Sequence, residues 1–210
     1  RLKARLLGLD TLEDYDRYAP LSAAGEQRSF GEADFLLGVR DDMRQGALRF
    51  FDPAAGQFVA VDAEGVPSLL DLPRLLGAAE ALARGKESDE ELASLLRGGS
   101  SLGGARPKAH VIDRSTGRLA IVKFPSPTDN WDVMRWESVA LELARRAGIR
   151  VPRSTLHLVD SKAVLLLDRF DRDGEDRVPY MSAMTLLGAD DGEHNSYLEI
   201  ADAMITLSAD

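Results

Sequence analysis

The sequence has 210 residues, 44% of them apolar and 29% charged, a composition that supports a packed core and excludes wholesale disorder. Lysine and arginine number 26 against 35 aspartates and glutamates, and the resulting net charge of −9 argues against DNA binding through overall charge. Cysteine is absent, which removes disulfide frameworks, thiolate metal sites and cysteine nucleophiles; the three histidines, His110, His157 and His194, are too scattered for a multi-histidine metal centre.

Taken in chain order, the first third mixes short strand-like runs with polar turns. Phe35–Val39, Ala47–Phe51 and Gln57–Val61 read as strands, the last two joined by a hairpin loop at Asp52–Gly56. A helix is expected over Leu72–Arg84, ended by Gly85. Ser88 then caps a second short helix that stops at Gly98-Gly99. Lys108–Ile112 and Leu119–Phe124 read as an antiparallel hairpin. The loop Pro125–Asn130 leads into an amphipathic helix over Trp131–Ala147. Its apolar face is read from Trp136, Val139, Ala140, Leu143, Ala144 and Ala147. Thr155–Val159 and Ala163–Leu167 are two further strands, Asp173-Gly174 is a turn, and Ser182–Leu187 and Tyr197–Leu207 are helices. The domain boundary is expected near Arg97–Ser100. No apolar run approaches the ~18 residues of a membrane helix, and the start lacks both a signal-peptide apolar segment and an initiator methionine. The expectation is a cytoplasmic protein whose 210 residues are a piece of a longer chain.

Three features carry chemistry. Gly98–Lys108 holds four glycines and two serines in its first seven residues, so its bare N–H groups can wrap phosphate oxygens, although a plain interdomain linker has the same composition. It is not a Walker A loop, because Pro107 precedes Lys108 and a strand follows. Lys123 stands in the apolar run Leu119–Phe124, where an ammonium must be paired, used or exposed at an edge. Glu137 lies beside the stripe of the next helix and by itself reads as a surface acid. Loop, strand lysine and helix glutamate together follow the order of a protein-kinase N-lobe. Asp168-Arg169-Phe170 then falls where the hinge of such a lobe stands. Ala189–His194 is acidic but lacks EF-hand spacing and reads as a solvated loop.

Four segments resemble the HipA family: Ser101–Ala109, Ile121–Pro125, Leu166–Arg172 and Arg177–Gly188. HipA-like proteins are bacterial serine/threonine kinases, usually the toxins of toxin–antitoxin pairs. The resemblance implies an α+β fold: a small N-terminal domain over residues 1–97, then a kinase-like N-lobe of antiparallel sheet plus helix and the start of a helical C-lobe over 98–210. It implies an ATP-binding loop of Gly103, Gly104, Ala105, Arg106, Pro107 and Lys108, with Lys123 on the phosphates, Glu137 supporting it, and Asp168, Arg169 and Phe170 at the adenine. Ser101 matches a loop serine that such kinases can autophosphorylate. ATP and Mg2+ are the implied cofactors. A helix-turn-helix antitoxin and a protein substrate, possible targets including an aminoacyl-tRNA ligase, are the implied partners, with DNA reached only through the antitoxin and no membrane. The family's catalytic aspartate, asparagine and metal-binding aspartate are not identified before Asp210, so the 210 residues are expected to be inactive alone. The competing reading is a non-catalytic module with a kinase-like fold that binds nucleotide or a partner.

Overall fold

The computed structural model describes residues 36–37, 39–59, 66–86, 88, 106–190 and 192–208. The fold is mixed α/β, with antiparallel sheets and few helices. The described residues form two compact units, the larger running up to Phe170 and the smaller made of Gly46–Leu48 with the residues from Asp171 onward.

In the larger unit a short hairpin, β1 (Phe51–Asp52) and β2 (Gln57–Phe58), is closed by the edge-on contact of Phe51 and Phe58. Helix α1 (Leu72–Ala83) starts behind a turn in which the Asp71 carboxylate accepts from both Ser68 N and Ser68 Oγ. It ends at Gly85, which takes the left-handed backbone the stop requires. The main sheet has four antiparallel strands in the order β3-β4-β6-β5: β3 (Lys108–Asp113), β4 (Arg118–Lys123), β5 (Ser154–Val159) and β6 (Lys162–Asp168). Helix α2 (Val133–Arg146) connects β4 to β5.

Local chemistry explains the connections. Between β3 and β4 the Asp113 carboxylate accepts from Ser115 N at 2.9 Å and from Thr116 Oγ1 at 2.9 Å, forming a side-chain-stabilised turn. Asp160 and Ser161, both at positive φ, make the two-residue turn between β5 and β6, whose twist matches the strands. Asp132 caps α2 by accepting from Arg135 N at 3.0 Å, and Arg145 and Arg146 lie at its C-terminal end.

Each face of the sheet carries a helix. Ala109, Val111, Ala120, Val122, Val164 and Leu166 alternate onto one face and pack with Leu72, Leu75, Leu76 and Ala79 of α1. Ala163 and Leu165 turn to the other face and meet Met134 of α2. The sheet side of α2 is thus Met134, Glu137, Ser138 and Leu141. This corrects the sequence reading: Trp136, at 60% exposure, and Val139, Ala140 and Leu143 lie on the outer side of that helix. The hydrophobic periodicity marked a face, but the sheet lies against the neighbouring one, where a glutamate is accommodated.

Other expectations are also adjusted. Leu36 and Leu37 have helical rather than extended backbone, and the first hairpin's strands shrink to two residues each. The helix expected after Ser88 and the boundary near Arg97–Ser100 lie outside the described residues.

The smaller unit holds a hairpin, β7 (Arg172–Asp173) and β8 (Asp176–Arg177), and helices α3 (Ala183–Leu187) and α4 (Tyr197–Ser208). Gly46 N donates to Asp171 Oδ2 at 2.7 Å, and Arg172 Nη1 donates to the same oxygen at 3.0 Å. Gly46 has φ +69, a left-handed backbone that favours glycine, whereas a Cβ there would make only ordinary contact with the Tyr180 ring at 3.5 Å. Ser182 caps α3 and left-handed Gly188 ends it. Helix α4 leaves Tyr197, Leu198, Ile205 and Leu207 exposed. Among the described residues, no helix is long and apolar enough to cross a membrane.

Candidate functional site

Lys108 and Lys123 are directly paired across β3 and β4, so both side chains stand on the α2 side of the sheet. Helix α2 packs on β5 and β6 and reaches β4 through Glu137. Lys123 Nζ donates to Glu137 Oε1 at 2.5 Å, and each side chain is 28% exposed. The lysine that stood unexplained in an apolar strand therefore has a carboxylate partner. The pair remains open enough to meet a ligand.

Two more cations adjoin it. Lys108 is half-buried: burial and the Lys123 ammonium hold its pKa below that of an ordinary lysine, while Glu137 acts in the opposite direction. Arg106 makes a two-pronged pair with Asp129, Nη1 to Oδ2 at 2.7 Å and Nη2 to Oδ1 at 2.8 Å. Asp129 Oδ2 also accepts from Ser126 N at 2.9 Å. The Arg106 guanidinium holds the Asp129 carboxyl below its usual range, and Asp129 in turn raises Arg106. Arg106, Lys108 and Lys123 thus face Asp129 and Glu137, leaving one positive charge in excess. Backbone connects the same parts, since Phe124 N donates to Pro107 O at 3.0 Å.

The other sequence-derived positions scatter. Ser101, Gly103, Gly104 and Ala105 lie outside the described residues. Asp168 accepts from Arg118 Nη1 at 3.2 Å, an exposed pair, and the N–H groups of Asp168 and Arg169 are donated to Arg153 O and Leu119 O. The Arg169 side chain is buried. Its guanidinium donates to Met43 O at 2.9 Å and Arg44 O at 3.1 Å and lies 3.4 Å from His110 Nδ1. Arg169 is therefore a strut tying the end of β6 to residues 43–44 and to β3. Phe170 is exposed.

Asp129 is the member that sequence reasoning missed. Its signal was a short polar turn, Ser126-Pro127-Thr128-Asp129, which reads as a loop until its partner Arg106, remote in sequence, is known. A groove of about 460 Å3 opens near it, lined by Glu80, Arg84, Trp131, Asp132 and Lys162 as well as Asp129, but not by Lys108 or Lys123. Among the described residues, no group of three or more histidines, aspartates or glutamates could hold a metal ion.

The sheet and the end of its inner strand β4 define a class: an α+β domain in which a strand lysine is fixed by a helix glutamate within a cluster of excess positive charge. Residues 100–210 match the family model for the HipA-like C-terminal domain, and the chain belongs to the HipA family. No curated protein and no solved structure matches it.

Proposed function

We propose that the protein is a HipA-type serine/threonine protein kinase that transfers the γ-phosphoryl group of ATP to a protein serine or threonine. The observation that carries this reading is the Lys123–Glu137 pair bridging β4 and α2, at the end of an inner strand of a sheet ordered β3-β4-β6-β5. A strand lysine ion-paired with a glutamate of the following helix is the arrangement by which a kinase N-lobe holds nucleotide phosphates. Lys123 neutralises the α- and β-phosphates. Glu137 fixes the ammonium so that little reorganisation is needed when ATP arrives. Lys108 adds a second positive charge on the opposite strand.

The Asp168–Phe170 stretch reads adenine through its backbone. Since the amides of Asp168 and Arg169 are already donated within the sheet, that contact falls to the remaining N–H and C=O groups. Mg2+ accompanies ATP, with ligands outside the described residues. A cytoplasmic toxin controlled by a helix-turn-helix antitoxin is the physiological setting that family membership favours.

The 210 residues alone are expected to bind MgATP without transferring phosphate, so the test incubates with labelled ATP and candidate protein substrates a protein that carries them together with the family's catalytic aspartate and asparagine. Transfer to serine or threonine that disappears in Lys123→Ala is the expected result. MgATP binding without any transfer would put a non-catalytic nucleotide-binding module in its place.

A further inference from the structure

Lys108 and Lys123 are direct partners across β3 and β4 and project to the same side of the sheet, where paired side chains stand about 5 Å apart at Cβ. Lys123 donates one N–H to Glu137 Oε1 at 2.5 Å. An ammonium has three donors, so Lys123 can still receive an anion. Arg106 is committed to Asp129 through both terminal nitrogens and adds its charge to the cluster. Lys108 itself is half-buried. Burial first, then the Lys123 ammonium, lower its pKa; the Arg106 charge acts in the same direction, and Glu137 opposes them. A partly desolvated lysine beside another cation keeps more of its amine unprotonated near neutrality, which makes it a nucleophile. An anion-receiving cation and a nucleophilic amine on adjacent strands are the two parts needed to accept a group carried on phosphate.

We propose that Lys108 is an acyl-acceptor site, modified by acyl phosphates whose phosphate group is held by Lys123. The neutral amine of Lys108 attacks the acyl carbon. A C–N amide bond forms and the C–O bond to phosphate breaks. Phosphate leaves with that electron pair and takes the proton shed by nitrogen. Nothing is oxidised or reduced. The product is a neutral amide in place of an ammonium. Arg106, Lys108 and Lys123 stand against Asp129 and Glu137, so the loss of one positive charge cancels the excess of the cluster. Acylation is therefore a charge switch on the site proposed above for nucleotide phosphates. That consequence rests on the nucleotide reading; the acylation itself does not.

The test incubates the folded protein with acetyl phosphate near neutral pH and follows acetylation of each lysine by peptide mass spectrometry. Lys108 should react at least about threefold faster than Lys86 and Lys162. Both of those are exposed, so accessibility alone gives the opposite order. In urea-unfolded protein the preference should vanish. Lys123→Met should slow the reaction at Lys108. Glu137→Gln, which removes a carboxylate that favours the ammonium, should speed it. Phenyl acetate, an uncharged donor, should favour Lys108 less than acetyl phosphate does. Lys108 reacting no faster than Lys86 or Lys162, a faster reaction in Lys123→Met, a slower one in Glu137→Gln, or equal preference for the two donors would overturn the acceptor site. MgATP should protect Lys108, and the acetylated protein should bind a fluorescent ATP analogue more weakly. Selective acetylation that leaves analogue binding unchanged would overturn the charge switch. Selective acetylation with neither MgATP protection nor analogue binding would leave the acceptor site standing and overturn the nucleotide reading.

Discussion

The two faces of the main sheet are built to different standards. Helix α1 buries Leu72, Leu75, Leu76, Ala78 and Ala79 against an almost wholly aliphatic sheet surface. Helix α2 buries only Met134 and gives the middle of its sheet-facing side to Glu137 and Ser138. One face is closed by apolar packing, which contributes most to stability. The other is held by a small apolar cluster and one partly exposed ion pair, which contributes little. The contrast separates two jobs: the α1 face holds the sheet together, and the α2 face presents charge beside a small apolar cluster.

Substitutions on the two faces should differ in cost. Leu75→Ala, at a fully buried site in the larger cluster, should cost about 2–5 kcal/mol in chemical denaturation. Met134→Ala should cost less, about 2 kcal/mol, because its cluster is smaller and has more room to relax. Equal losses would mean that the α2 face packs as firmly as the α1 face.

Glu137→Gln should change stability by under about 1 kcal/mol while strongly reducing the proposed phosphoryl transfer. A large stability loss without an effect on transfer would make the pair structural.

Lys108 supplies a pH test. Its pKa is lowered by burial and by Lys123, so the folded state binds this proton less tightly than the unfolded chain does. Its charge therefore opposes folding, and stability should rise as pH climbs from the lowered value toward that of an ordinary lysine. Binding of a phosphate anion needs the same charge and should weaken over that alkaline range. Lys108→Met should leave the protein slightly more stable at neutral pH and the anion more weakly bound. A variant that loses stability would refute the assignment. For Asp129 the sign is opposite: its lowered pKa means the clamp is intact through neutrality and is lost only as pH falls through that lowered value.

The smallest effect is expected at Leu143, 60% exposed on the outer side of α2. Leu143→Gln should shift stability by no more than about 0.5 kcal/mol. A larger loss would place apolar cover on that face.

The amino-acid sequence by itself determined the local elements of the sheet unit. The β3–β4 hairpin, the strands β5 and β6, and the helices α1 and α2 were legible because turn chemistry such as Asp113–Gly117 and the stop at Gly85 act over a few residues. The candidate lysine and glutamate were legible too, as a cation out of place in an apolar strand and an acid on the following helix. Only the tertiary structure decided which side of α2 faces the sheet. The apolar stripe through Trp136 and Leu143 is the stronger hydrophobic signal, yet the sheet takes the Met134–Leu141 side, where Met134 meets Ala163 and Leu165 and Glu137 comes within reach of Lys123. Nor could local pattern assign Arg169 to Met43 and His110, or Arg106 to Asp129. Those pairings span 126, 59 and 23 residues, and a charged side chain carries no mark in sequence of the partner that folding brings to it.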